Sequence, residues 1–160
     1  MGVAVVPVYA CLVLLLVQSP LIAAKCRSIT KFPPCPSSWT LFEANCYLKV
    51  TTERRFLQAE DHCQNYTEPG RPCHLTSILS SGENDFIANM TSGTARTWIG
   101  YHDADVEGTF AWLDGSNTGY EKWGVGFDNA YDFIAFANEG WYGNARTKAI
   151  PSVCKMAALH

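Results

Sequence analysis

The chain has 160 residues, 48% hydrophobic and 17% charged, with a formal net charge of −3. That length and apolar content suit one domain with a real core rather than a disordered or multidomain chain. The charge is unevenly placed: Asp103, Asp105, Glu107, Asp114, Glu121, Asp128 and Asp132 face only Lys122 in the same stretch, which argues against nucleic acid and for a face that attracts cations.

Residues 1–24 contain no charged side chain, Leu12–Val17 is continuously apolar, and Ala23-Ala24 precedes the first lysine, Lys25. This reads as a secretory signal peptide. An uncleaved anchor is the alternative, but Pro7, Gln18 and Pro20 interrupt the apolar block and leave it short of the ~20 clean apolar residues that a span prefers. Cleavage is therefore expected, giving a secreted, extracellular protein with no membrane span. Of the seven cysteines, Cys11 leaves with the signal; the even number that remains implies disulfides in an oxidising compartment. The sequons at Asn65 and Asn89 fit that compartment as glycosylation sites.

Residues 25–34, with Cys26, Pro33 and Pro34, read as an extended N-terminal arm. Trp39–Val50 alternates enough for a hairpin, and Cys35 and Cys46 are near enough in sequence for a bridge to clamp it. Arg54–Tyr66 places Phe56, Ala59 and Cys63 at helical spacing, with Glu60 and Gln64 expected to face out. His74–Leu79 reads as a short apolar strand. Ser80 stands three residues before Glu83, the capping-box spacing for a second helix whose buried face would be Phe86, Ile87 and Met90. Ser92–Thr97 is a polar loop.

The stretch from Trp98 to Gly115, WIGYHDADVEGTFAWLDG, predicts a strand at Trp98-Ile99 and another at Phe110, Trp112 and Leu113, both suited to a half-buried pleat. Between them Asp103, Asp105 and Glu107 crowd onto a short loop. Mutually repelling carboxylates need full solvation, compensating donors or a hard cation such as calcium. Gly115–Ala130 predicts a long loop anchored by Tyr120, Trp123 and Phe127, and Phe133–Phe136 and Val153–Met156 predict the last strands.

Trp98-Ile99-Gly100, Glu107-Gly108 and Phe110-Ala111-Trp112-Leu113-Asp114-Gly115, with Cys35-Pro36-Ser37-Ser38-Trp39, Phe42, Cys46-Tyr47, Cys63, Tyr120, Trp123 and Cys154, resemble the signature of the C-type lectin-like domain. The resemblance covers residues 35–156. It implies an α+β fold in which two helices flank antiparallel sheets bearing a long loop, stapled by Cys35–Cys46 and Cys63–Cys154. The family's other long-range pair falls near Phe133 and Arg146, neither of which is cysteine, so the resemblance predicts a long loop held less firmly. Cys26 and Cys73 are left over; they pair with each other, or Cys26 links two chains into a disulfide-bonded dimer.

The resemblance also carries two calcium positions. In sugar-binding members one ion is held by a Glu-Pro-Asn or Gln-Pro-Asp triplet, a following Glu and a Trp-Asn-Asp triplet, and takes sugar hydroxyls directly. Those positions here are Gly126-Phe127-Asp128, Tyr131 and Trp141-Tyr142-Gly143, so only Asp128 keeps an oxygen ligand and this site is expected to be lost. Asp128, Asn129 and Tyr142 remain as the residues of that face able to touch a ligand. The auxiliary ion's positions fall on Asp103, Glu107 and Asp132, with Asn129 as a fourth, a credible set for Ca2+.

No nucleophile elbow, zinc motif or phosphate loop is present, so an enzyme is not expected. The expected function is recognition of a glycan or glycoprotein surface, carbohydrate binding being what the resemblance implies. The alternatives are calcium-independent binding of a protein partner, or association with mineral or matrix through the acidic face. The Gly- or Pro-rich repeats that often accompany matrix domains are missing.

Overall fold

A computed structural model describes residues 33–117, 119–127 and 130–159. The signal peptide, Cys11 and most of the arm, with Cys26, lie outside the described residues, as do Asp128 and Asn129. The elements are β1 (Thr40–Phe42), β2 (Asn45–Arg54), α1 (Phe56–Gln64), β3 (His74–Leu75), α2 (Ser81–Met90), β4 (Thr97–His102), β5 (Ala111–Trp112), β6 (Phe133–Ala137), β7 (Gly140–Asn144) and β8 (Ile150–Ala157). This is the expected α+β set, with β7 added. Gly140 and Gly143 weaken its strand signal, and pairing along the whole of β6 overrides that weakness.

The sheet runs β1-β2-β8-β4-β6-β7, with β3 on β8 and β5 on β4. Its pairs are antiparallel except the short β4–β8 contact at Trp98 and Ser152. Successive residues of a strand point to opposite faces, and here both faces are covered. Trp98, Phe133 and Cys154 enter a cluster with Phe56, Ala59 and Cys63 of α1; Ile99, Ile134 and Val153 enter another with Ile87 of α2. Trp98 and Ile99 are therefore both fully buried, which corrects the expectation of a half-buried pleat: the second helix covers the face that would otherwise meet water.

Two expectations about the helices change. Glu60 does not face out; it is buried, and its carboxylate accepts from the Leu75 amide at 2.8 Å and from Gln64 at 2.7 Å, with His74 Nδ1 at 2.6 Å. Two partners from β3 and one from the next turn of α1 replace the water that an acid loses on burial. In α2, Ser80 Oγ caps the Glu83 amide at 3.1 Å, as its spacing predicts. The Glu83 side chain does not return to Ser80; it accepts from the Leu79 amide at 2.7 Å and from Lys155 Nζ at 2.6 Å. Of the expected buried face of α2, Ile87 is fully buried while Phe86 and Met90 are half-buried against the same cluster; Asn84 is buried with them.

Both implied disulfides form, Cys35–Cys46 clamping β1 to β2 and Cys63–Cys154 joining α1 to β8 across 91 residues. Closing so long a loop removes denatured-state freedom corresponding to about 4.6 kcal/mol in the entropic model. Cys73 is buried and bonded to no described cysteine. Asn65 and Asn89 are exposed at and near the ends of α1 and α2, so neither sequon is hidden by the fold.

Candidate functional site

The site is built on the end of β7 and the segment that enters β4. Trp141 is wholly buried, and its indole nitrogen donates to Asn84 Oδ1 of α2 at 3.0 Å. With alternate strand residues pointing apart, Trp141 faces the core and Tyr142 faces outward, half-buried. The Arg96 guanidinium lies 4.9 Å from the Tyr142 ring centroid, and its Nη1 donates to the Gly143 carbonyl at 3.4 Å. These residues, with Phe127, Tyr131 and Asn144, line a depression of about 320 Å³. A guanidinium over an aromatic face is held by the ring quadrupole, so a fixed positive charge sits beside Tyr142 and Gly143.

This bears directly on whether calcium fits there. A calcium ion needs six to eight oxygen ligands, but the described lining offers phenols, one amide side chain and a carbonyl already engaged by Arg96. No carboxylate of a described residue lines it, and the guanidinium would repel a divalent ion. Among the described residues the lining therefore holds no carboxylate set for that ion; Asp128, the one sugar-site position that keeps an oxygen ligand, lies outside them. Arg96 is the residue that sequence reasoning missed: it lay inside a polar loop, and the only signal was a lone cation two residues before the Trp98-Ile99 strand.

The long loop is held against β7 by other means than the absent disulfide. Gly124 donates to the Trp141 carbonyl at 2.9 Å and the Trp141 amide to Lys122 at 2.7 Å. Glu121 accepts from Tyr101 Oη at 2.6 Å and from the Trp123 indole at 2.8 Å. Burial, with this bond to Glu121, pushes the Tyr101 hydroxyl well above its usual range. Trp123 stacks on Phe127 with centroids 4.0 Å apart. Close approach requires glycine at two places: a Cβ on Gly140 would lie 2.5 Å from the Gly124 backbone, and one on Gly124 would overlap the Tyr142 ring. The looser loop expected from the missing cysteines is thus countered over residues 121–127. Trp123 and Trp141 are anchors, as their sequence context suggested.

The acidic loop takes a different form. Asp103, at the end of β4, is 2% exposed; its amide donates to the Asp132 carbonyl at 3.0 Å, and its Oδ2 accepts from the Gly108 amide at 2.9 Å. Gly108 has φ of 77°, a region that favours glycine, and so lets the loop turn back onto Asp103. Asp105, Glu107 and Asp132 are exposed. Among the described residues no three His, Cys, Asp or Glu side chains gather to hold a metal. Among the described residues Asp103, Glu107 and Asp132 form no such group, and the Asp103 carboxylate accepts from its own loop; Asn129, the fourth expected ligand, lies outside them.

Residues 52–156 match the family model described as the lectin C-type domain. An alpha-N-acetylgalactosamine-specific lectin of Patiria pectinifera is 34% identical over 141 residues, covering 80% of this chain and 83% of that one. The crystal structure of the C-type lectin CEL-I from Cucumaria echinata superposes with a TM-score of 0.70 at 28% identity, covering 77% of this chain and 97% of that one. A calcium-independent type II antifreeze protein superposes with a TM-score of 0.69 at 27% identity, covering 78% and 95%.

Proposed function

Because the chain belongs to the C-type lectin domain family, whose members bind ligands rather than catalyse, we propose that it is a secreted recognition protein that binds carbohydrate without a calcium ion at the long loop. The observation that carries this is the Arg96 guanidinium held over Tyr142 and against Gly143, where the sugar-binding pattern would have an ion. Arg96 and Asn144 supply donors for sugar hydroxyls, the Tyr142 ring holds Arg96 in place, and the exposed Tyr131 ring at the same depression supplies an apolar face for a pyranose. Asp128 and Asn129 follow Phe127 in sequence, lie outside the described residues, and remain candidates to touch the ligand. The starfish relative is specific for a sugar, and one structural neighbour is described as calcium-independent; both support the reading.

The test is a glycan array probed with the mature protein in calcium and in chelator. Signal that is equal in both and lost in Tyr142→Ala is expected. Signal abolished by chelator would refute the proposal. A second reading, recognition of a protein partner, is favoured by Val125, which is 96% exposed on the long loop beside the depression. On that reading no glycan binds and Val125→Asp abolishes capture of the partner.

A further inference from the structure

Beyond the long loop, the fold gathers basic side chains from distant parts of the sequence at one rim. The segment between β7 and β8 brings Arg146 and Lys148 beside the end of β2: the Phe56 amide donates to the Arg146 carbonyl at 3.1 Å, and Arg54 pairs with Ile150. One depression of about 610 Å³ is lined by Arg96, Lys148, Asn144, Thr94 and Glu53. A second, of about 310 Å³, is lined by Arg55, Arg146, Gln58 and Thr147. The first shares Arg96 and Asn144 with the depression at Tyr142. Among the described residues the ion pairs are Arg71–Glu68, His74–Glu60 and Lys155–Glu83, so none of these rim bases is neutralised by a carboxylate. Glu53 is the one described acid in the three linings.

We propose that this rim, running from Arg55 through Arg146 and Lys148 to Arg96, binds a sulfated or carboxylated polysaccharide chain. Unpaired surface bases attract polyanions at long range, and a guanidinium fork suits sulfate and carboxylate groups. Arg96 is already positioned by Tyr142 and Gly143, so little side-chain freedom is lost when it binds. The amide and hydroxyl groups of Asn144, Thr94, Gln58 and Thr147 suit sugar hydroxyls. The depressions carrying Lys148 and Arg146 have no aromatic lining, hence no platform on which nucleic-acid bases could stack. The overall negative charge is no obstacle, because it comes from the stretch between Asp103 and Asp132, and exposed charges further apart than ~10 Å are largely screened at physiological salt.

The test uses the mature chain in chelator, with heparin as the sulfated probe, titrated between about 50 and 200 mM salt. Heparin should bind with strong salt dependence, and the same polysaccharide stripped of sulfate should not. Arg146→Glu with Lys148→Glu should weaken binding roughly tenfold or more and lower the slope of log affinity against log salt by about two. Arg146→Ala with Lys148→Ala serves as the milder pair, since only exposed side chains change. Unchanged affinity in both pairs would overturn the proposal. So would duplex DNA binding as tightly as heparin, which would mark a general polyanion surface. Neither residue lines the Tyr142 depression, so a negative result here leaves the long-loop reading standing.

Discussion

Removing Glu83 should be among the most damaging single changes in this protein, and the structure gives the reason. Lys155 Nζ is 92% buried with its side chain and lies 2.6 Å from Glu83 Oε1; its other acceptors are Ser77 Oγ at 3.0 Å and the Ser77 carbonyl at 3.3 Å. Glu83 also accepts from Tyr47 Oη at 2.5 Å and from the Leu79 amide. Glu83→Gln keeps the shape but leaves an ammonium buried without a counter-charge, at a cost of about 3–5 kcal/mol. Lys155→Met strands a carboxylate that still has two donors, so its cost should be smaller, about 2–3 kcal/mol. The pair Glu83→Gln with Lys155→Met buries no net charge and should cost less than the sum of the two single changes, a coupling of about 2 kcal/mol. Urea unfolding followed by tryptophan fluorescence, with disulfides intact, measures all three. Glu83→Gln should also weaken ligand binding, because the next residue, Asn84, holds the Trp141 indole behind Tyr142. Additive single changes, or a loss under about 1 kcal/mol for Glu83→Gln, would refute the reasoning.

Other outcomes follow from the loop and the thiol. Calcium titrated calorimetrically into the mature protein should give no saturable heat; saturable binding lost in Asp103→Asn would restore the auxiliary ion. Asp103→Ala should cost about 1 kcal/mol by releasing the Gly108 amide, read as a lower Tm. Gly124→Ala should cost about 1–3 kcal/mol, since the new methyl overlaps Tyr142 and overpacking displaces the loop; a wild-type Tm with wild-type glycan binding would refute this. Burial, then the nearby Glu60, pushes the Cys73 thiol up to about 12. The native state then holds a proton that the unfolded chain gives up. This contribution to stability is complete below the ordinary thiol value of 9.0 and is lost as pH rises from there towards about 12. Native protein at pH ~8 should resist iodoacetamide at Cys73, and Cys73→Ala should flatten the alkaline fall in stability.

Much of the frame was legible because it rests on local periodicity and on cysteine positions. Ser80 was readable as a cap because its partner is three residues away. Trp98 and Ile99 announced a strand, and only the second helix across the sheet, which no local pattern reports, made both of them core. Glu60 looked like a solvated helix acid and Glu83 like the capping-box partner of Ser80, because the partners they take, Leu75 and Lys155, come from other strands. The Arg96–Tyr142 pair was hidden in the same way: each residue is unremarkable alone, and the strand register joins them. The expected loss of the sugar-site carboxylates rests instead on residue identity at positions that the family resemblance supplies.

The two departures from the family pattern fall on one structure. A disulfide there would restrict the unfolded chain, whereas Gly124, Gly140 and Glu121 stabilise only the folded loop. Backbone bonds of that kind open locally more readily than a covalent link, so residues 121–127 should exchange amide hydrogens faster than β6 and β8 while remaining ordered. Arg96 acts on the same face in a compatible way. A calcium ion would have to gather six or more oxygens from this loop, which requires the loop to be fixed before the sugar arrives. A guanidinium held by one ring and one carbonyl makes no such demand, so the missing bridge and the proposed binding without an ion are compatible. Chelator should therefore leave the exchange rates of residues 121–127 unchanged; faster exchange in chelator would mean that an ion organises this loop after all.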